Sequence, residues 1–233
     1  MKGLRALLTK EMAAIYYSSV AYVVAAVFTF LMSYTFCAQL FHMRSASLAG
    51  TLIQAATLLL LTIPFLTMRQ FSEERRTGTL ELLLSSPVAR FTVVFAKFLS
   101  TLSIVTVLLL LVLAFPLTLS FISAPDWGPI VSGLVGLFLF GAALIAIGLA
   151  VSAFTSNQLV AAVLSLGIFL LLWMSEALGV FFGAPYDAIA IAFSLDSRFT
   201  PFVTGAVYLS DFGFFFTVAL FGLLTAVAGL SRR

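Results

Sequence analysis

Residues 68–97 read MRQFSEERRTGTLELLLSSPVARFTVVFAK. Of the chain's 12 basic and 9 acidic residues, eight lie in this stretch: Arg69, Glu73, Glu74, Arg75, Arg76, Glu81, Arg90 and Lys97. An apolar run long enough to cross a bilayer stands on either side. Only 9% of the residues are charged, so this polar island marks a water-exposed device between spans.

Outside it the chain has little polar chemistry. A hydrophobic fraction of 62% and a mean hydropathy of +1.18 exceed what a soluble globule uses, where about half the residues are apolar. The composition therefore points to an integral membrane protein. Crossing about 30 Å of hydrocarbon takes roughly 20 helical residues. Runs of that length fall near Val20–Leu40, Ala49–Met68, Phe98–Ile122, Ile130–Phe154, Leu159–Phe181 and Phe212–Leu230. They are continuously apolar rather than alternating, which excludes a transmembrane barrel. The expected fold is all-α, with six transmembrane helices in one domain over residues 1–233.

Basic residues set the orientation, because cytosolic loops carry the excess of Lys and Arg. With both termini inside, the cytosolic segments hold Lys2, Arg5, Lys10, Arg69, Arg75, Arg76, Arg90, Lys97, Arg232 and Arg233, leaving Arg44 and Arg198 outside. Asp126, Glu176, Asp187, Asp196 and Asp211 fall toward the outer side. Residues 1–18 do not read as a cleaved signal, since Glu11 interrupts them and the apolar run that follows is of full spanning length. Over residues 2–18, Leu4, Leu7, Leu8, Met12 and Ile15 gather on one face and Lys2, Arg5, Thr9 and Lys10 away from it. That pattern suits a helix lying in the interface plane; a plain basic overhang is the alternative.

Within the island, Ser72 is expected to cap a helix carrying Glu73 and Glu74 in its first turn. Gly78 offers a bend, Thr79 caps a second short helix, and Pro87 ends it. Leu80 and Leu82–Leu84 need cover from lipid headgroups or from a partner's groove. Further along, Pro116 should bend the third span. Ala142, Ala146 and Ala150 give the fourth span a small-residue face for close packing, within the chain or against a second subunit. TSNQ at Thr155–Gln158 is a tight cytosolic turn. Residues 182–211 are too short in their apolar parts to cross and read as a pair of re-entrant or interfacial outer-face helices.

Several chemistries are missing from the sequence. There is no GxxxxGK[ST] phosphate loop, so ATP is not bound here in the usual way. His42 is the sole histidine and Cys37 the sole cysteine, which excludes Cys/His zinc centres and HExxH proteolysis. No catalytic, cofactor-binding or metal-ligating set is expected, and nothing points to nucleic acid. Glu176 stands out as an intramembrane carboxylate. It lies about 17 residues into the fifth span, roughly 25 Å of helical rise, beside Trp173. It reads either as an interfacial carboxylate or as a polar group on a translocation path.

EERRTGTLELLLSSPV, followed by RFTVVFAKF leading into the third span, resembles the cytosolic signature of ABC-2-type permeases. The upstream amphipathic helix, the six spans and the outer segment extend that resemblance over nearly the whole chain. TKEMAAIYYSSVAYVVAAVF and FVTGAVYLSDFGFFFTVALFGLLT further resemble the GldF/NosY-like subgroup. The resemblance implies a multi-pass permease of the bacterial cytoplasmic membrane, paired with a second permease copy or a paralogue. Two copies of a separate ATPase subunit would bind ATP and Mg, and the surrounding partner is membrane lipid. A cytosolic coupling helix over 71–86 would fit a groove of the ATPase, with Phe71, Glu73, Glu74, Gly78, Thr79, Glu81 and Leu82 as the contact residues. A mechanical variant would transmit the same movement to an outer-face or periplasmic accessory protein without moving a substrate. A secondary transporter or channel, or an intramembrane enzyme using Glu176, Asp187, Asp196 or His42, are the readings from other classes.

Overall fold

The computed structural model describes residues 2–43, 48–81, 88–121, 123–183 and 186–231. Arg44, Leu82–Pro87, Ile122, Pro185, Arg232 and Arg233 therefore lie outside the described residues. Everything described is helix or short connection. In order, the helices are α1 (Lys2–Tyr16), α2 (Ser19–Met43), α3 (Ala49–Thr67), α4 (Arg69–Arg76), α5 (Arg90–Val112), α6 (Ala114–Ser120), α7 (Trp127–Phe154), α8 (Gln158–Trp173), α9 (Ser175–Phe182), α10 (Tyr186–Phe193), α11 (Leu195–Thr204) and α12 (Leu209–Ser231). Among the described residues, five helices are long and apolar enough to cross a bilayer. The bent pair α8–α9 makes a sixth if it is counted as one span.

The centre of the bundle is α7, against which α3, α4, α5, α8, α11 and α12 all pack. Its small residues explain why. A Cβ placed on Gly222 of α12 would stand 2.7 Å from the backbone carbonyl carbon of Ala146, so the two helices approach closely only because that Cβ is missing. Ala142, Ala146 and Ala150 are all buried within the chain, in keeping with intramolecular packing of the small-residue face. On the other flank, Phe140 meets Trp173 at 5.7 Å, Phe199 at 5.6 Å and Phe215 at 6.2 Å between ring centroids. Such offset and edge contacts add to plain burial.

Two spans differ from those read off hydropathy. The third spanning helix begins at Arg90, two turns before Phe98, so Lys97 lies inside it. The helix is interrupted at Leu113 and resumes as α6 with Pro116 in its first turn, where the ring crowds the preceding carbonyls; the two parts still count as one span over Arg90–Ser120. The fifth span is not one helix. It breaks at Met174, and its two parts meet at 56°. Ser175 holds the break, donating its hydroxyl to Leu172 O at 3.0 Å and to Ala190 O in α10 at 3.0 Å. The segment after it forms the expected pair of short helices, α10 and α11. Gly205 closes α11 in the left-handed conformation at φ 84°, which costs glycine nothing.

Candidate functional site

One end of the bundle gathers α1, α4, the start of α5, the end of α7 and the end of α12. Arg75 Nη2 donates to Gly229 O at 3.2 Å, and Arg90 Nη1 to Ser231 Oγ at 2.8 Å. Lys10, Arg69, Arg75, Arg90 and Lys97 are thus brought to the same end. The polar island is built onto the close of the second span, which runs on through Met68 to Arg76.

Met68 keeps helical dihedrals and its N–H bonds to Pro64 O, so α4 continues the second span. Two backbone donors near the start of α4 are served from outside the helix. Ser152, reaching from α7, accepts from Phe71 N at 3.1 Å and Ser72 N at 3.2 Å, and donates to Met68 O at 3.2 Å. A single hydroxyl thereby uses its full hydrogen-bonding capacity. Ser72 is not the N-cap expected of it. It sits in mid-helix, fully buried, with its hydroxyl turned back to Met68 O.

Lys97 is the chemical centre of this end. Its side chain is 3% exposed, and its ammonium stands 2.9 Å from Glu11 Oε2 of α1 and 2.9 Å from Glu74 Oε1 of α4. The ring of Phe71 lies beneath it, 5.3 Å from Nζ to the centroid, as a desolvated cation–π contact. Gln70 extends the network, donating to Thr101 Oγ1 at 3.1 Å, while Thr101 donates to Lys97 O at 2.9 Å. A buried ammonium bridging two carboxylates ties α1, α4 and α5 together. Losing one partner of such a contact typically costs about 3–5 kcal/mol, because the others stay buried without compensation.

Beyond α4 the chain turns outward. Thr77 Oγ1 donates to Glu73 O at 2.9 Å, and Thr79 shares a 2.9 Å hydroxyl contact with Thr77. The closing carbonyls of α4 are satisfied this way; the forward cap expected of Thr79 involves Leu82, outside the described residues. Gly78 takes φ 72°, the bend expected there, and the chain is helical again over 79–81. Arg76, Thr77, Gly78, Thr79 and Glu81 are exposed; Glu73, Glu74 and Arg75 are half-buried. Two readings need correction. Phe71 is 0% exposed, so its ring offers nothing to a partner, and Leu80 is covered by the chain's own core. Leu82 lies outside the described residues.

Sequence reasoning missed Glu11 and Lys97. Both carried a signal. Glu11 stands four residues from both Leu7 and Ile15, on the apolar face of α1, and Lys97 sits in a run that is otherwise apolar on both sides.

At the opposite end, Glu176 opens α9, in the first turn after the break, where the helix dipole favours a carboxylate. It is not brought to the Lys97 cluster. Burial raises the pKa of Asp196 above its ordinary 3.8, and Glu176 adds to the rise. Arg198 Nη1 pairs with the buried Asp211 Oδ1 at 3.0 Å, which anchors α11 to the start of α12. Among the described residues no three His, Cys, Asp or Glu side chains are grouped to hold a metal ion.

The family model described as ABC-2 family transporter protein matches residues 5–188, which includes most of α1, the polar island and both partners of Lys97. No curated protein matches the chain.

Proposed function

The chain belongs to the ABC-2 transporter family, and from that premise we propose that it is the membrane permease of an ABC transporter, driven by a separate ATPase subunit that docks on the exposed turn at 76–81. Two ATPase copies carrying ATP and Mg would serve a pair of permeases, this chain with a second copy or a paralogue, in a bacterial cytoplasmic membrane with both termini in the cytosol. Both the basic charge at the α1–α4 end and the exposed turn there favour that orientation.

The observation that carries the proposal is the Lys97 bridge. The exposed turn is the continuation of α4, and α4 is fastened to α1 and α5 through Lys97 and to α7 through Ser152. A partner that closes on the turn therefore moves several helices together. Arg76, Gly78, Thr79 and Glu81 are the docking residues this arrangement favours, with Glu73 at their edge. Phe71 and Glu74 act behind them by fixing α4.

The test is co-purification with the cognate ATPase. Arg76→Glu combined with Glu81→Arg reverses exposed charges that make no ion pair among the described residues. The double variant should insert normally and lose the ATPase. Retention of the ATPase at wild-type level refutes docking on this turn.

A further inference from the structure

Beneath the Lys97 bridge, between α1, the start of α2 and the α3–α4 junction, lies a cavity of about 410 Å³. Its two halves differ in kind. Apolar side chains such as Ile15, Val20, Phe65 and Leu66 line part of it; most of the remainder is charged, including Lys10, Glu11, Arg69, Glu74 and Lys97.

Its polar atoms are incompletely satisfied. Among the described residues, four buried side-chain N or O atoms have no hydrogen-bond partner: Glu11 Oε1, Glu74 Oε2, Arg69 Nε and Ser165 Oγ. Three of these belong to residues lining this one cavity, although the atoms themselves are closed off in this structure, so a ligand reaches them once the Glu11, Glu74 and Arg69 side chains rotate toward it. Buried polar groups are partnered in the great majority of cases, so their concentration here marks a place for water or a ligand to complete the set. The ion pairs nearby do not meet the need. Lys10 Nζ is 3.8 Å from Glu11 Oε1, and Arg69 Nε is 3.4 Å from Glu73 Oε2, the first beyond hydrogen-bonding reach and the second too long for a good bond.

The unmet set is two carboxylate oxygens wanting N–H donors and a guanidinium nitrogen wanting an acceptor, with the Lys10 ammonium, 62% exposed, at the rim. We infer that the cavity binds the headgroup of an aminophospholipid, its primary ammonium against Glu11 and Glu74 and its phosphate against Arg69 and Lys10, with acyl chains along the Ile15–Phe65 wall. Choline offers no N–H to the carboxylates, and a glycerol headgroup brings no cation, so neither completes the set. The apolar wall beside the charged half suits a lipid at the membrane–water boundary rather than a soluble zwitterion. The inference relies on reading this end of the bundle as that boundary, but it requires no ATPase. Lipid occupancy is measured on the permease alone, so its failure is separable from failure of the docking proposal.

The experiment is native mass spectrometry of the delipidated full chain, titrated with phosphatidylethanolamine, phosphatidylcholine and phosphatidylglycerol of matched acyl chains. The ethanolamine lipid should bind as one tight adduct, roughly tenfold above the other two, as the loss of one charge-assisted hydrogen bond implies. Lys10→Ala and Arg69→Gln should each weaken that adduct. Lys10 is solvent-facing, so its variant keeps the test valid should Arg69→Gln fail to fold. Free O-phosphoethanolamine should not displace the lipid at comparable concentration. Equal binding of the three lipids overturns the inference, as does an ethanolamine adduct indifferent to Lys10→Ala. Displacement by the free headgroup as effective as by the lipid overturns it too, assigning the cavity to a soluble zwitterion.

Discussion

Replacing Lys97 by methionine separates a structural ion pair from an incidental one. The side chain keeps an unbranched four-atom stem and loses the ammonium. Glu11, 4% exposed, and Glu74 would then face each other across the space that the ammonium filled, each having stood 2.9 Å from it. Removing one partner from a buried ion pair costs about 3–5 kcal/mol, and the lost contact with the Phe71 ring adds about 1–2 kcal/mol. For a chain of 233 residues, a loss of that size lowers a melting midpoint by on the order of 10 °C. The assay is thermal unfolding in detergent, followed by fluorescence-detected size exclusion. Its decisive arm is the triple variant Lys97→Met, Glu11→Gln, Glu74→Gln, in which the uncompensated charges are gone. That variant should recover most of the midpoint, because a neutral set replaces the ion pair at little net cost. Its stimulation of the partner ATPase should stay impaired, since the charged link between α1, α4 and α5 is missing. A Lys97→Met protein as stable as wild type would show that the carboxylates are solvated, and the reasoning fails there.

Three other outcomes follow from the same structure. Ser152→Ala strips the acceptor from Phe71 N–H and Ser72 N–H, about 1–3 kcal/mol for each donor left buried; the midpoint should fall and amide exchange at 71–72 should accelerate. Gly222→Val forces side-chain atoms toward the Ala146 backbone, where even a Cβ would stand at 2.7 Å; it should destabilise by about 1–3 kcal/mol or more, read as reduced yield and midpoint against Gly213→Val, whose Cβ has open space. Asp196 has its native-state pKa raised, by burial first and by Glu176 second. Its contribution to stability is therefore complete below 3.8 and is lost as pH rises through the higher native value. Asp196→Asn should flatten that dependence and melt higher than wild type at neutral pH.

The span pattern was open to sequence reading because hydrocarbon imposes a length and a composition that any continuous apolar run reveals. The interruption near Pro116 and the turn at Gly78 were legible for a similar reason, each resting on one residue's own backbone chemistry. The misreadings all involve partners distant in the chain. Ser72 looked like a cap because its local context, followed by two glutamates, fits one. What decides otherwise is Ser152, 80 residues away, which takes the donors a cap would have served. Phe71 and Leu80 looked available because they stand among charges; the fold turns them into the core. The break at Met174 carries no proline or glycine, and it is held by a hydroxyl bonded to Ala190, 15 residues on. Glu11 was legible in position but not in role, since only the fold brings Lys97 to it.

The side bonds of α4 also decide where a push on the exposed turn would travel under the proposed coupling. Because α4 continues the second span through Met68, force applied at 76–81 would run up its axis. It would also pass sideways, since Ser152 of α7 takes the opening backbone donors of α4 and Arg75 binds the closing turn of α12. The Thr67 hydroxyl, just before Met68, bonds within α3, to Ile63 O at 3.1 Å. Hydrogen bonds therefore fasten α4 sideways, to the helix at the bundle's centre and to its closest neighbour. Glu11 adds α1 through Lys97. A rigid patch made of α1, α4, the start of α5 and the ends of α7 and α12 would then move as one body, and the Ser152 and Lys97 contacts keep that moving part whole.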